Sequence, residues 1–216
     1  PDSNRQRSAH VHAVYFRKGT NELYVPDLGS DKLMCYRFNS ANGTVQPSAG
    51  GHVALDPGTG PRHIDFHPNG KFAYLVEELT SNVVVLKKGK LGKWEPIQRQ
   101  FALPPYYRGP ANGADIHISA DGKFLYYSNR ANAKTIAIFS VNPTTGMVTK
   151  ADDVYTQGEK PRHFSIDPSG NYLLAGNQES NEVVIFKRDP FTGLLTDNGT
   201  RIKVGKPVCF KWIPRN

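Results

Sequence analysis

Four stretches of this chain, beginning at His12, Arg62, Ala114 and Arg162, align without a gap over their first seventeen residues. No other feature limits the possible folds as tightly. The stretches open as HAVYFRKGT, RHIDFHPNG, ADIHISADG and RHFSIDPSG, an alternating strand that ends in a Pro/Gly/Asp/Asn turn signal in three of the four. A second strand follows as ELYVPD, KFAYLVEE, KFLYYSNR and NYLLAGNQ, and a third as KLMCYRF, NVVVLKK, KTIAIFSV and EVVIFKRD. A Gly-containing turn such as Asn42-Gly43 or Thr145-Gly146 then leads to a weaker fourth strand. Four-stranded units of this length, started 50, 52 and 48 residues apart, fit the blades of an all-β propeller. A β-sandwich also has short strands between turns, but it does not need one register repeated four times. The 20 Gly and 16 Pro spread along the chain agree with many short strands joined by turns.

In a meander blade the first strand lies innermost and the second runs antiparallel beside it. The start of one and the end of the other therefore share one mouth of the channel. The first of these columns reads His12, Arg62, Ala114, Arg162, and the second, sixteen positions later, reads Leu28, Glu78, Arg130, Gln178. A purely structural column would hold Val, Ile or Ala throughout, so the recurring charge calls for a polar partner. One such partner is the set itself, with Arg62, Glu78, Arg130 and Arg162 pairing as an ion network across a wet channel. The other is an anionic ester. Guanidinium forks fit a carboxylate or phosphate, and His12 can take a proton from water while the arginines keep it neutral. On that reading Arg62 and Arg130 face the oxyanion or anionic group, and Arg162 and Gln178 bind substrate. Glu78 orients the base or handles the leaving group's proton.

His63 and His163 follow the arginines directly and, by strand alternation, point to the opposite face as supporting or blade-packing groups. His63 is also counted as a substrate-binding candidate. His10 and His12 could suggest a metal pair, but no third ligand stands at recognisable spacing, so no metal is expected. Asp27 and Asp31 read as turn formers. The chain has no GxSxG elbow, P-loop, Rossmann glycine motif or Cys-rich zinc pattern. The stretch Phe101 to Gly113 is a rigid connector or a lid.

The strings HVHAV, PDLGSDK, GTGPRHIDFHPNGKFAYLVEEL, ADIHISADGKFLYYSNR, KPRHFSIDPSGNYLLAGNQ and PVCF resemble the propeller-type 6-phosphogluconolactonases and the related fungal 3-carboxy-cis,cis-muconate lactonizing enzymes. The resemblance runs from about Ser8 to the last residues. It implies a seven-bladed fold, a cofactor-independent site at the channel mouth, and catalytic roles for His12, Arg62, Glu78 and Arg130. It also implies a length difference, with residues 1–216 matching about four C-terminal blades and 207–213 a closing strand. The expectation is that the missing blades are lost or supplied by another chain, with a closed four-bladed form as the alternative.

Composition narrows the partners. The 27 Lys+Arg against 19 Asp+Glu leave a formal charge of +8, which favours anionic ligands. The basic residues are scattered except for Lys87, Lys88, Lys90 and Lys93, which read as a solvated hairpin loop, so nucleic acid is not expected. No apolar run approaches the ~20 residues of a membrane span. Cys35 and Cys209 each sit in an apolar run and are expected to be buried thiols, which favours the cytoplasm. The expected function is hydrolysis of 6-phosphogluconolactone. Lactonization of a carboxylated muconate and a non-catalytic, partner-binding propeller are the alternatives.

Overall fold

The computed structural model describes residues 2–213. They form four four-stranded antiparallel sheets, each a simple meander. The first sheet is β1 (Tyr15–Phe16), β2 (Glu22–Asp27), β3 (Lys32–Asn39) and β4 (Thr44–Ala54). The second is β5 (Pro61–Phe66), β6 (Phe72–Glu77), β7 (Asn82–Lys88) and β8 (Trp94–Phe101). The third is β9 (Gly113–Ile118), β10 (Phe124–Asn129), β11 (Thr135–Val141) and β12 (Val148–Tyr155). The fourth is β13 (Pro161–Ile166), β14 (Tyr172–Asn177), β15 (Glu182–Arg188) and β16 (Leu195–Lys203). No helix is long and apolar enough to cross a membrane among the described residues.

The core is divided into three layers, one between each pair of neighbouring sheets. Tyr24, Leu33 and Val53 of the first sheet meet Ile64, Ala73 and Leu75 of the second. Tyr74, Val83 and Val85, on the other face of the second sheet, meet Leu125, Tyr127 and Phe139 of the third. Tyr126, Ile136 and Ile138 meet Phe164, Leu173 and Phe186 of the fourth. The inner sheets are thus apolar on both faces, which is why their strands alternate less than one-sided strands do. Side-chain hydroxyls from the centre of the second and third blades reach the next: Tyr74 Oη donates to the Gly146 carbonyl and Tyr126 Oη to that of Gly193. Burying a phenol ring contributes about 1.5–3 kcal/mol only if its hydroxyl is also satisfied, and these bonds satisfy it.

Several expectations are revised. Residues 207–213 form no strand, because the segment crosses β13 through side chains instead of pairing with an edge: Trp212 Nε1 donates to Ser165 Oγ and Phe210 packs on His163. Cys209 is consequently exposed, whereas Cys35 is buried as expected, and burial pushes its thiol up to about 12. Of the lysine run, Lys90 and Lys93 lie in the connection between β7 and β8, whereas Lys87 and Lys88 end β7, and Lys88 is held in an ion pair with Glu22 and lies over the Trp94 ring. The Phe101 to Gly113 stretch is pinned as a connector, with Lys150 Nζ donating to the carbonyls of Ala102 and Leu103. It must end in glycine, since a Cβ on Gly113 would lie 1.8 Å from the Tyr127 hydroxyl.

Candidate anion site at the channel mouth

One hydrogen bond repeats in every blade and builds the site. The backbone N–H of Leu28 donates to His10 O, Glu78 to Gly60 O, Arg130 to Asn112 O and Gln178 to Lys160 O. In each case the acceptor stands two residues before the first-column position, so the two columns are adjacent in all four sheets. The sheet edges therefore deliver His12, Arg62, Glu78, Arg130 and Arg162 to one end of the inner strands.

Glu78 is the hub. Its carboxylate, almost wholly buried, has Arg62 Nε and Arg130 Nη2 each 2.9 Å from Oε2, and it accepts a hydrogen bond from Arg5 Nη2 at Oε1. Burial raises the Glu78 carboxyl, but Arg130, Arg62 and Arg5 outweigh it and hold the group below its usual range. This corrects the expectation that Glu78 orients His12 or carries a proton. A carboxylate saturated by three guanidiniums is a poor proton carrier and a good anchor, and Arg62 and Arg130 do pair with it. Arg130 Nη2 also donates to Gly113 O, and Arg62 Nη1 to Ala114 O, which fixes both forks against β9, the inner strand of Arg130's own blade and of the blade after Arg62.

Arg162 behaves differently. It is half-buried and forms no ion pair among the described residues, yet it is close enough to lower Arg62, Arg130 and His12 electrostatically. Four guanidiniums against the one carboxylate of Glu78 leave the mouth strongly positive. Gln178 Oε1, in the same column, is buried with no protein partner among the described residues, and so is Nδ1 of His12. Burial, with Arg62 and His63 beside it, lowers the His12 imidazole to about 3, so the ring is neutral as expected. Arg5, His10, His12 and Leu28 line an open cleft of about 300 Å³, at the small end of the range for small-molecule sites, about 300–1,000 Å³.

His63 departs from the strand-alternation reading. The register between β5 and β6 shifts between Pro61 and Ile64, just after Gly60 at φ +63°, and this bulge turns His63 toward the Arg62 side. Its ring stands edge-on to His12 at 5.2 Å between centroids. Arg62 Nη1 lies 3.2 Å from His63 Nε2, and because a guanidinium can only donate, Nε2 is the acceptor. His63 Nδ1–H then donates to Asp115 Oδ1 at 2.6 Å. Burial lowers the His63 pKa against the pull of Asp115, in keeping with this neutral tautomer. His63 thus positions Arg62, and Asp115 positions His63.

Two functional residues escaped sequence reasoning. Arg5 lies outside the repeats, and its only signal was the basic stretch NRQR. Asp115 had a signal, because it occupies the same repeat position as His63 and His163, one residue after the first column.

Fold and mouth together define a β-propeller of four-stranded blades with an arginine cluster around Glu78 at one end of its inner strands. A family model described as lactonase, seven-bladed β-propeller, matches residues 1–212, and the chain belongs to that family. It is 37% identical over 210 residues to the 6-phosphogluconolactonase of Bacillus subtilis, covering 97% of this chain and 59% of the relative. It is 42% identical over 194 residues to the 6-phosphogluconolactonase of Formosa agariphila, covering 88% and 54%. Among solved structures, the periplasmic gluconolactonase of Pseudomonas aeruginosa superposes with a TM-score of 0.90 at 33% identity, covering 97% of this chain and 58% of that one. The chain therefore spans somewhat over half the length of these relatives.

Proposed function

We propose that this chain carries the reaction mouth of a lactonase that hydrolyses 6-phosphogluconolactone to 6-phosphogluconate. The observation that carries the reading is the guanidinium cluster itself: Glu78 holds Arg5, Arg62 and Arg130 in place, and Arg162 stands beside them with no ion-pair partner among the described residues. A phosphate dianion or the oxyanion of an opening lactone satisfies such a cluster with charge-assisted hydrogen bonds. The 6-phosphogluconolactonase relatives support the substrate class.

In this mechanism His12 takes a proton from water as the water oxygen bonds to the lactone carbonyl carbon. The carbonyl oxygen becomes an oxyanion facing Arg62 and Arg130. Collapse of the tetrahedral intermediate breaks the ring C–O bond, and the departing alkoxide takes the proton back from His12. A base lowered to about 3 is weak in the free site. Bound phosphate offsets the part of that lowering caused by Arg62 and Arg162, so the substrate raises the basicity of the group that attacks it. Gln178 and Arg162 hold the phosphate end, and His63 acts through Arg62.

The relatives' greater length supports a working channel that includes blades beyond these four, from a longer chain or a second one. Native mass measurement on the undissociated protein tests this. Two unpaired thiols support a reducing, cytoplasmic location, and fractionation of producing cells decides between that and the periplasm of the Pseudomonas relative. The function itself is tested by turnover of 6-phosphogluconolactone above its spontaneous opening. Hydrolysis equal to the uncatalysed rate in the full assembly would refute it.

A further inference from the structure

Deeper along the inner strands than the arginines lies a second cluster that the lactone chemistry does not use. Asp115 and His117 alternate on β9 and so share one face, while His163 comes from β13 of the next blade. The nearest ligand-type atoms of these three residues all lie within 4.8 Å of one another. Asp115 Oδ2 is 3.1 Å from His117 Nε2 and 3.5 Å from His163 Nε2. A tetrahedral zinc with ligand bonds of about 2.0–2.2 Å separates its ligands by about 3.3–3.6 Å, so the two edges to Asp115 need adjust by only a few tenths of an ångström, and the edge between the histidines, within 4.8 Å, closes by a rotation of the partly exposed His117 ring.

Two further observations point to an ion rather than to a closed hydrogen-bond network. The His163 ring forms no hydrogen bond among the described residues: Nδ1 is buried without a partner, and Nε2 stops at 3.5 Å from Asp115. A neutral imidazole has a single ring lone pair, and one that no donor occupies inside a protein, as at His163 Nε2, is what a metal site requires. The surrounding contacts also match those of metal ligands. His117 Nδ1 faces the Asp65 carboxylate at 3.7 Å, and the other oxygen of Asp115 accepts from His63. Carboxylates behind ligating histidines, and hydrogen bonds behind ligating carboxylates, orient such groups toward the ion. His117 is about one third exposed, which leaves a path of entry from the channel.

We propose that Asp115, His117 and His163 bind one zinc-type divalent ion in the channel wall, with a fourth position open to water. The ion takes the place of the proton that joins His117 Nε2 to Asp115 Oδ2. Because Asp115 also holds His63, and His63 holds Arg62, occupation of this site stiffens the support beneath the arginine mouth. The site stands whether or not the lactonase reading does.

The test is calorimetric titration of Zn²⁺ into chelator-stripped protein, paired with the visible spectrum of the Co²⁺ form. One equivalent of saturable binding and the intense d–d bands of tetrahedral Co²⁺ are expected. His163→Gln removes a ligand but no hydrogen bond, so it should melt like the parent while weakening Zn²⁺ by more than the about 10–100-fold that outer-shell changes cost. His117→Gln should weaken Zn²⁺ as much but melt lower than the parent, because it also loses the contact with Asp115, and His10→Gln, at the mouth, should leave affinity unchanged. Absence of stoichiometric binding, or equal affinity in His163→Gln and parent, would overturn the proposal. Binding abolished only by His10→Gln would also do so, by assigning the ion to exposed histidines.

Discussion

Replacing Glu78 by Gln keeps the shape of the side chain and deletes one negative charge at the centre of the arginine cluster. Arg62 and Arg130 have side-chain exposures of 2% and 6%, so neither can recover its lost partner from solvent. Arg5 is 47% exposed and screened by solvent, so losing its partner costs little. Stranding a buried charge by removing its partner typically costs about 3–5 kcal/mol. Total stability of a domain is only about 5–15 kcal/mol, so the loss is easily measured as a fall in the urea midpoint at constant m-value. A cycle with Arg130→Met sharpens the test, because the double variant no longer buries one of the stranded cations and should recover part of the loss. The same carboxylate sets an acid limit. Its folded pKa is depressed, so its contribution is fully present above the unfolded value near 4.5 and fades as pH falls through the lower folded value. Parent stability should therefore drop below about pH 4 more steeply than that of Glu78→Gln. A Glu78→Gln protein within about 1 kcal/mol of parent at neutral pH would refute the anchoring role, given the cost expected for a stranded buried charge.

Four further outcomes are expected, three of them at the site. His12→Ala should lower kcat on 6-phosphogluconolactone by about 10²–10⁴-fold with stability nearly unchanged, and unaltered turnover would remove the base assignment. Since free His12 lies at about 3, kcat/KM should show no acid limb above pH 4, whereas the limb in kcat should move upward when phosphate occupies the cluster. Arg162→Ala should cost about 10–100-fold in kcat/KM on the phosphorylated lactone, the equivalent of one charge-assisted bond of about 1.5–3 kcal/mol, and little on unphosphorylated gluconolactone. Equal losses on both substrates would place Arg162 at the oxyanion instead. Iodoacetamide under native conditions should alkylate exposed Cys209 and spare Cys35, whose buried thiol is pushed up to about 12, as read by peptide mass spectrometry.

The repeat was legible because a blade is a local object. Its strands follow one another in the chain, its turns need Gly, Asn or Asp, and its register recurs at nearly constant spacing, so the strand pairs and the two charged columns follow from the residues alone. What those columns do to each other was not legible. Whether Glu78 serves His12 or binds Arg62 and Arg130 depends on distances of a few ångströms between side chains fifty residues apart, set by how neighbouring blades pack. Strand alternation placed His63 on the wrong side because a single bulge after Gly60 reverses the pleat, and nothing in PRH marks it. Asp115 draws His63, His117 and His163 around one carboxylate only because three inner strands abut. Local pattern determined which residues form blades and which face the channel, since hydrophobic periodicity and turn chemistry act within a few residues. Only the tertiary structure decided which charges are neutralised and which remain available, because electrostatics depends on burial and separation in space.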